Sequence, residues 1–358
     1  MFTFDFLNAR HGDSFLVRWG TKERVMLVDG GPSQVYETSL RERLSQLPPN
    51  GQGVPRIDVV CLSHVDDDHA VGLLKLLSGI QHARDDQEPD PFAVQKVWFN
   101  SVDELVDQQE EGLSASAQEL VDRASADSGA VRASYNQGRA IRNVAAKLGL
   151  AGNPLFDGPL ITGGEATLDQ LHITVVAPDE TALQQLTERW LKARQLQDPS
   201  VITSSYTDGS IPNLSSIVLL LKHGGRTALL TGDARGDRIL AGLRETGLLD
   251  GAGPLHVDLL KLPHHGSDRN VEGDFFEQVH ADHYVISADG VKHHHPNEET
   301  LHMLVDSRDP DDEYTIHLTN QIDFADATLA DLQNGRSFTV SVRPSADLAE
   351  VVAIGGQP

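Results

Sequence analysis

An α/β fold, with two packed sheets and helices outside them, is what this 358-residue sequence predicts. Three observations carry that expectation. The opening third is a run of short strand signals, residues 102–148 switch to Ala, Gln, Glu and Arg at helical spacing, and from 171 onward strands and helices alternate. With 39% hydrophobic and 23% charged residues the composition is globular, which excludes a collagen-like or wholly disordered chain.

In order along the chain, FTFDFL (2–7) and SFLVRW (14–19) read as strands separated by the turn-like ARHGD. RVMLVD (24–29) follows and ends in Gly30-Gly31-Pro32. Residues 38–47 are helical in character, and IDVVCLS (57–63) is an apolar run suited to a strand buried on both faces. A helix is predicted over 69–79, directly after an acidic triplet that favours a helix N-terminus. KVWFN (96–100) is a strand, and about 102–165 reads as a helical insertion. Strands at 171–176, 215–221, 227–233, 256–262, 283–287 and 315–320 alternate with helices at 180–196 and 297–306. His223-Gly224-Gly225-Arg226 is a hairpin signal, and 337–342 and 350–354 are expected to close a sheet edge.

The single cysteine, Cys61, rules out an internal disulfide framework and an all-thiolate zinc ribbon, and it reads as a small buried hydrophobe. Apolar runs such as IVLLL at 217–221 are too short to span a bilayer, and the first residues lack a basic, apolar leader. A cytoplasmic protein without membrane contact is the expectation. The net charge of −24 argues against a broad basic surface coating nucleic acid. It leaves room for a local cationic site that binds phosphates.

The chemistry concentrates in Ser63-His64-Val65-Asp66-Asp67-Asp68-His69, between the buried strand and the helix. Alternate residues of a tight loop at a strand end aim at a common point. Two imidazoles and two carboxylates there, His64, Asp66, Asp68 and His69, offer N and O ligands for one or two divalent cations.

This segment resembles the signature of the metallo-β-lactamase superfamily, His-x-(His/Asp)-x-Asp-His after a buried strand, and within it the soluble ComEC-type hydrolase subgroup. The resemblance implies a four-layer αββα sandwich, formed by one domain over 1–358 with the insertion inside it. Arg10-His11-Gly12-Asp13-Ser14 stands where such relatives carry a Gly-Gln-Gly-Asp turn, His11 departing from the pattern. Leu27-Val28-Asp29-Gly30-Gly31 resembles the family's Asp-Gly-Gly turn, which makes Asp29 a brace behind the metal loop. Thr231-Gly232-Asp233 resembles the motif whose carboxylate is shared by two metals. Pro263-His264-His265-Gly266-Ser267 resembles the HHGS motif, in which the expected ligand is His264 and His265 faces substrate, although sequence does not separate the two. His293-His294-His295-Pro296 resembles the last motif, with His295 beside a phosphoryl oxygen or leaving group and His293 and His294 incidental.

The resemblance thus assigns one metal to His64, Asp66 and Asp233, helped by Asn213 or water where classical relatives have a third His. It assigns the other to Asp68, His69, Asp233 and His264. Zn²⁺ fits this donor set, and Mn²⁺ is the alternative. The implied reaction is hydrolysis by a metal-activated hydroxide, with Asp66 and Asp68 orienting the nucleophile and His265 and His295 serving charge or proton transfer. A phosphodiester substrate (DNA, RNA or a nucleotide) is the leading expectation. Other ester, lactone or thioester hydrolysis, and a silent binding module of the same fold, stay open. Arg132, Arg139, Arg142 and Lys147 form one basic cluster and Arg189, Lys192 and Arg194 another; Arg139 and Arg142 are candidate phosphate contacts.

Overall fold

The structure, a computed structural model, describes residues 1–101, 104–105, 129–196, 215–271 and 273–355. The strands are β1 Phe2–Leu7, β2 Phe15–Trp19, β3 Arg24–Val28, β4 Arg56–Ile57, β5 Val59–Cys61, β6 Ala93–Val94, β7 Val97–Trp98 and β8 Glu165–Leu168. They continue as β9 Leu171–Ala177, β10 Val218–His223, β11 Arg226–Leu230, β12 Leu255–Lys261, β13 Val279–Ile286, β14 Thr315–Leu318, β15 Thr339–Val342 and β16 Ala349–Ala353. The α-helices are α1 Arg41–Ser45, α2 Asp67–Asp85, α3 Gly129–Leu148, α4 Glu180–Leu196, α5 Gly236–Glu245, α6 Gly273–Gln278, α7 Glu298–Asp306 and α8 Asp323–Leu332.

Among the described residues one large sheet has the order β16-β1-β2-β3-β5-β7, a second has β15-β14-β13-β12-β11-β10-β9-β8, and β4 and β6 pair in a separate two-stranded sheet. In the first, β16 through β3 are antiparallel and β3, β5 and β7 parallel. In the second, β11 through β15 are parallel and β8 through β11 antiparallel. As expected, 337–342 and 350–354 contribute strands at sheet edges, β15 and β16.

The period-2 alternation of strands makes the layers. Phe15, Val17 and Trp19 of β2 enter a core shared with Leu219, Leu221 and Leu259 of the facing sheet, whereas Leu16 packs outward with Leu73, Leu76 and Ile141 of α2 and α3. On the far side, Leu260, Tyr284 and Ile316 pack with Ile239, Phe275, Leu301 and Leu329 of the second helical layer. The result is the αββα sandwich.

Two details differ from the sequence reading. The apolar run 57–63 is broken between β4 and β5 at Asp58, whose buried carboxylate accepts from Val25 N at 3.0 Å and Arg24 Nη1 at 2.9 Å. The helix expected over 69–79 begins at Asp67 and runs to Asp85, because Asp66 in extended geometry serves as its N-cap residue. Among the described residues, no helix is long and apolar enough to cross a membrane.

Candidate metal centre

Parallel strands in both sheets release their C-terminal ends at one edge of the sandwich, the usual place for a site in such sheets. Asp29 follows β3, His64 follows β5, Asp233 follows β11, the His264-His265 turn follows β12, and Ser287 follows β13. The sheets are tied there by Ile217 N, which donates to Ser63 O at 2.9 Å.

The metal loop is held from behind. Asp29, at φ 56°, accepts from Ser63 N and Ser63 Oγ at 2.7 Å each and from His69 Nδ1 at 2.8 Å. The following turn lies directly on α2. A Cβ on Gly72 would sit 1.9 Å from Gly30 O, so only glycine permits this approach and the placing of His69 that depends on it. The turn carrying His11 presses on the same loop from the other side, where Asp13 N donates to Asp68 O at 3.2 Å.

Four imidazoles converge on Asp233. His69 Nε2 and His265 Nε2 face Oδ1 at 3.4 and 3.6 Å; His64 Nε2 and His264 Nε2 face Oδ2 at 3.7 and 3.5 Å. In every ring the other nitrogen is committed. His64 Nδ1 lies 3.1 Å from Ser63 Oγ, His69 Nδ1 reaches Asp29, His264 Nδ1 lies 2.7 Å from Asn270 Oδ1, and His265 Nδ1 lies 2.9 Å from Ser287 O. Since Ser63 Oγ spends its proton on Asp29, all four contacts fix the hydrogen on Nδ1 and leave Nε2 as a lone pair. Lone pairs of four rings therefore face two carboxylate oxygens. His64 Nε2, His69 Nε2, His265 Nε2 and Asp233 Oδ1 are buried without a hydrogen bond. Acceptors facing acceptors in a buried pocket repel unless cations lie between them, so the residues fit divalent metal.

Electrostatics point the same way. Burial alone would raise the Asp233 carboxyl, but the surrounding histidines, His264 foremost, outweigh it and hold the group well below the usual carboxylate range. Burial and the neighbouring His69 push His64 down to about 4. For His69, burial is outweighed by Asp233 and Asp29, and for His265 by Asp233 and Asp13, so both are raised.

The two adjacent histidines divide between the oxygens. The sequence reading grouped His264 with Asp68 and His69. In the structure His264 stands on the Oδ2 side with His64, and His265 joins His69 on the Oδ1 side. The cause is backbone geometry, for His264 and His265 both adopt left-handed φ values, 45° and 58°, and fan their rings apart. Asp66 Oδ2 lies 3.7 Å from His64 Nε2, and Asp68 Oδ1 lies 4.0 Å from His69 Nε2. His295 is half-buried, its ring 5.7 Å from that of His264 and its Nδ1 3.2 Å from Asn297 Oδ1.

Asn213 lies outside the described residues, as do the side chains of Arg132, Arg189 and Arg194. Arg139 and Arg142 are half-buried on α3, two and five residues beyond Gln137, which donates to Asp67 Oδ1 at 2.5 Å. Both arginines have interaction partners of their own.

Sequence reasoning passed over Asp13 and Lys261. Asp13, His69, Asp233 and His265 offer ligand atoms within 4.8 Å of one another. Asp13 is paired with the buried ammonium of Lys261, which also donates to Gly232 O at 3.3 Å. Burial works against the Asp13 charge, but Lys261 and His265 outweigh it and hold the carboxyl far below its ordinary value. The available signal was a lone lysine inside the apolar run LLKL.

The family model described as metallo-beta-lactamase superfamily matches residues 7–183. ComE operon protein 3 of Bacillus subtilis (strain 168) is 30% identical over 105 residues, 29% of this chain; the match spans 13% of that protein's own length. Among solved structures, Zn²⁺-bound PqqB from Methylobacterium extorquens aligns over 96% of this chain and 87% of its own, at 13% identity and TM-score 0.40. CmlA, a diiron beta-hydroxylase from Streptomyces venezuelae, aligns over 99% of this chain and 54% of its own, at 11% identity and TM-score 0.41.

Proposed function

From a metallo-β-lactamase superfamily domain at residues 7–183, with a hydrolase-type fold and a candidate metal site, we propose a metal-dependent phosphodiesterase. Its substrates are DNA, RNA or nucleotides and its metal is Zn²⁺ or Mn²⁺. The observation that carries this reading is the set of four Nε2 lone pairs aimed at the two oxygens of one buried carboxylate. His64, His264, Asp66 and Asp233 Oδ2 would hold one cation; His69, His265, Asp68 and Asp233 Oδ1 would hold the other. Such cations supply Lewis acidity and bring the pKa of bound water to about 7.

The chain's own residues do the rest. Asp29, Ser63, Asn270 and Ser287 O fix the tautomer and plane of each ring, so the donor set needs no reorganisation when charge develops. His295 is neutral at pH 7, because burial and the neighbouring His264 and His265 hold it at about 4. With its Nδ1 proton on Asn297 Oδ1, it presents Nε2 as an acceptor. An approaching phosphodiester anion raises that pKa, and the ring, once protonated at Nε2 from solvent, would donate to a departing oxygen.

The test is hydrolysis of bis-p-nitrophenyl phosphate by protein loaded with Mn²⁺ or Zn²⁺, beside Asp233→Ala. Turnover abolished in the variant is the expected result. Absence of turnover in metal-loaded wild type overturns the phosphodiesterase reading and leaves esters and thioesters to be tried.

A further inference from the structure

The arc of imidazoles does not stop at the metal centre. From His264 outward, ring centroids follow at 5.7 Å to His295, 5.9 Å to His293 and 6.0 Å to His11. At the outer end Lys292 Nζ donates to His11 Nε2 at 3.3 Å. Two segments far apart in sequence build this end, and both are anchored to the centre. Ser287 Oγ donates to Gly12 O at 2.7 Å, and the backbone at Gly12 lies so close to Asp68 that an added Cβ would meet its carbonyl at 2.0 Å.

The location stands out chemically. In a chain with 53 Asp+Glu against 29 Lys+Arg, an ammonium and two imidazoles gather at one point beside the site. Lys292 and His293 are exposed and His11 half-buried, so all three can meet a ligand. Asp289, the nearby carboxylate of the same loop, is committed to its own turn through Val291 N at 3.0 Å. A group held here is three ring steps from His264, within reach of a substrate already bound at Asp233.

Building on the phosphodiesterase reading, we propose that His11, Lys292 and His293 form a subsite for a second phosphate of the substrate. The enzyme would thereby prefer a diester that carries another phosphate one nucleotide away over an isolated diester. That second group is either the next diester of a strand or a terminal monoester, and both offer the same oxygens to the ammonium and imidazoles.

The experiment compares kcat/KM for three chromogenic substrates. Thymidine 5′-(p-nitrophenyl phosphate) has no second phosphate; its 3′-phosphorylated form adds a monoester; its extension to p-nitrophenyl-pTpT adds a diester. Wild type is expected to favour at least one extended substrate by on the order of tenfold, as a charge-assisted contact allows. Whichever extended form gains identifies the source. Lys292→Ala and His11→Ala should erase that preference and keep the unextended substrate within about twofold, with metal content equal to wild type. No preference in wild type, or a preference that survives in the double variant, overturns the subsite.

Should no substrate turn over, calorimetric binding of thymidine 3′,5′-bisphosphate against thymidine 5′-phosphate decides separately. A preference lost in Lys292→Ala keeps the subsite while the phosphodiesterase reading falls. Equal binding sinks the subsite.

Discussion

Replacing Lys261 by Met removes the ammonium from behind the candidate metal centre and leaves Asp13 with no full counter-charge. Both side chains are 1% exposed, so no solvent screens the loss. Breaking a buried pair by deleting one partner costs about 3–5 kcal/mol. The lower figure applies here, because His265 Nδ1 lies 3.5 Å and His69 Nδ1 3.9 Å from the Asp13 carboxylate and can share its charge. A 358-residue chain unfolds with roughly 2.1 cal/mol/K per residue, or about 0.75 kcal/mol/K in all, so the melting temperature should fall by about 4 °C. Differential scanning calorimetry reads the shift. Asp13→Asn should be destabilised in its turn, since it strands the buried lysine. The double variant should recover most of the loss, giving a coupling energy of about 2–3 kcal/mol in the cycle. A Lys261→Met protein melting within 1 °C of wild type, or purely additive single variants, would refute the reasoning.

Two further outcomes are expected. His264→Ala and His265→Ala should each lose about one metal equivalent, but from opposite sides. With Co²⁺ as probe, His264→Ala keeps the hyperfine-shifted signals of His69 and His265→Ala keeps those of His64; both losses on one side would undo the division between the oxygens of Asp233. Glu350 accepts from His317 Nδ1 at 2.8 Å and Ser341 Oγ at 2.6 Å, and these contacts outweigh burial to lower its carboxyl below 4.5. Its stabilisation is in place above pH 4.5 and is lost as pH falls through the lower folded value. Glu350→Gln should therefore be less stable than wild type by about 1–2 kcal/mol at pH 7. That gap should narrow below pH 4.5 in urea titrations, and one independent of pH would contradict the assignment.

What could be read from the sequence is what short-range pattern encodes. The run from Val59 through His69 sets a buried strand, a loop of candidate ligands and a helix within a few residues, and alternation along β1, β2 and β3 sets the two faces. Asp29 was legible only through the resemblance of its Asp-Gly-Gly turn to the family's. Other features depend on partners distant in sequence. Asp13 and Lys261 meet only after both sheets have formed, and neither residue alone announces a buried ion pair. α5 and α8 went unread because too few apolar positions fix a period, the buried Ile239, Leu240 and Leu243 in α5 and Ala325 and Leu329 in α8. The break at Asp58 was hidden because only its contacts to Val25 and Arg24 make a carboxylate acceptable there.

The division of labour between His264 and His265 was illegible for a more basic reason. Successive residues of a strand point to opposite faces, and successive residues of a helix diverge by about 100°. Neither geometry brings two adjacent rings to one carboxylate. The chain meets the requirement by leaving β12 into consecutive left-handed residues, ending at Gly266 with φ +84°. Each non-glycine in that region costs about 1–3 kcal/mol, and histidine carries no marker that it will adopt such a conformation. The turn is held by His264 N donating to Gly232 O at 3.1 Å, Ser267 N to His264 O at 2.9 Å and Asn297 N to Gly266 O at 3.0 Å. These bonds join the turn to the loop that bears Asp233 and to the segment that bears His295. Strain at the two histidines is thus borne by the same contacts that set the spacing between ligands, so relaxing the turn would separate the rings from the carboxylate they serve.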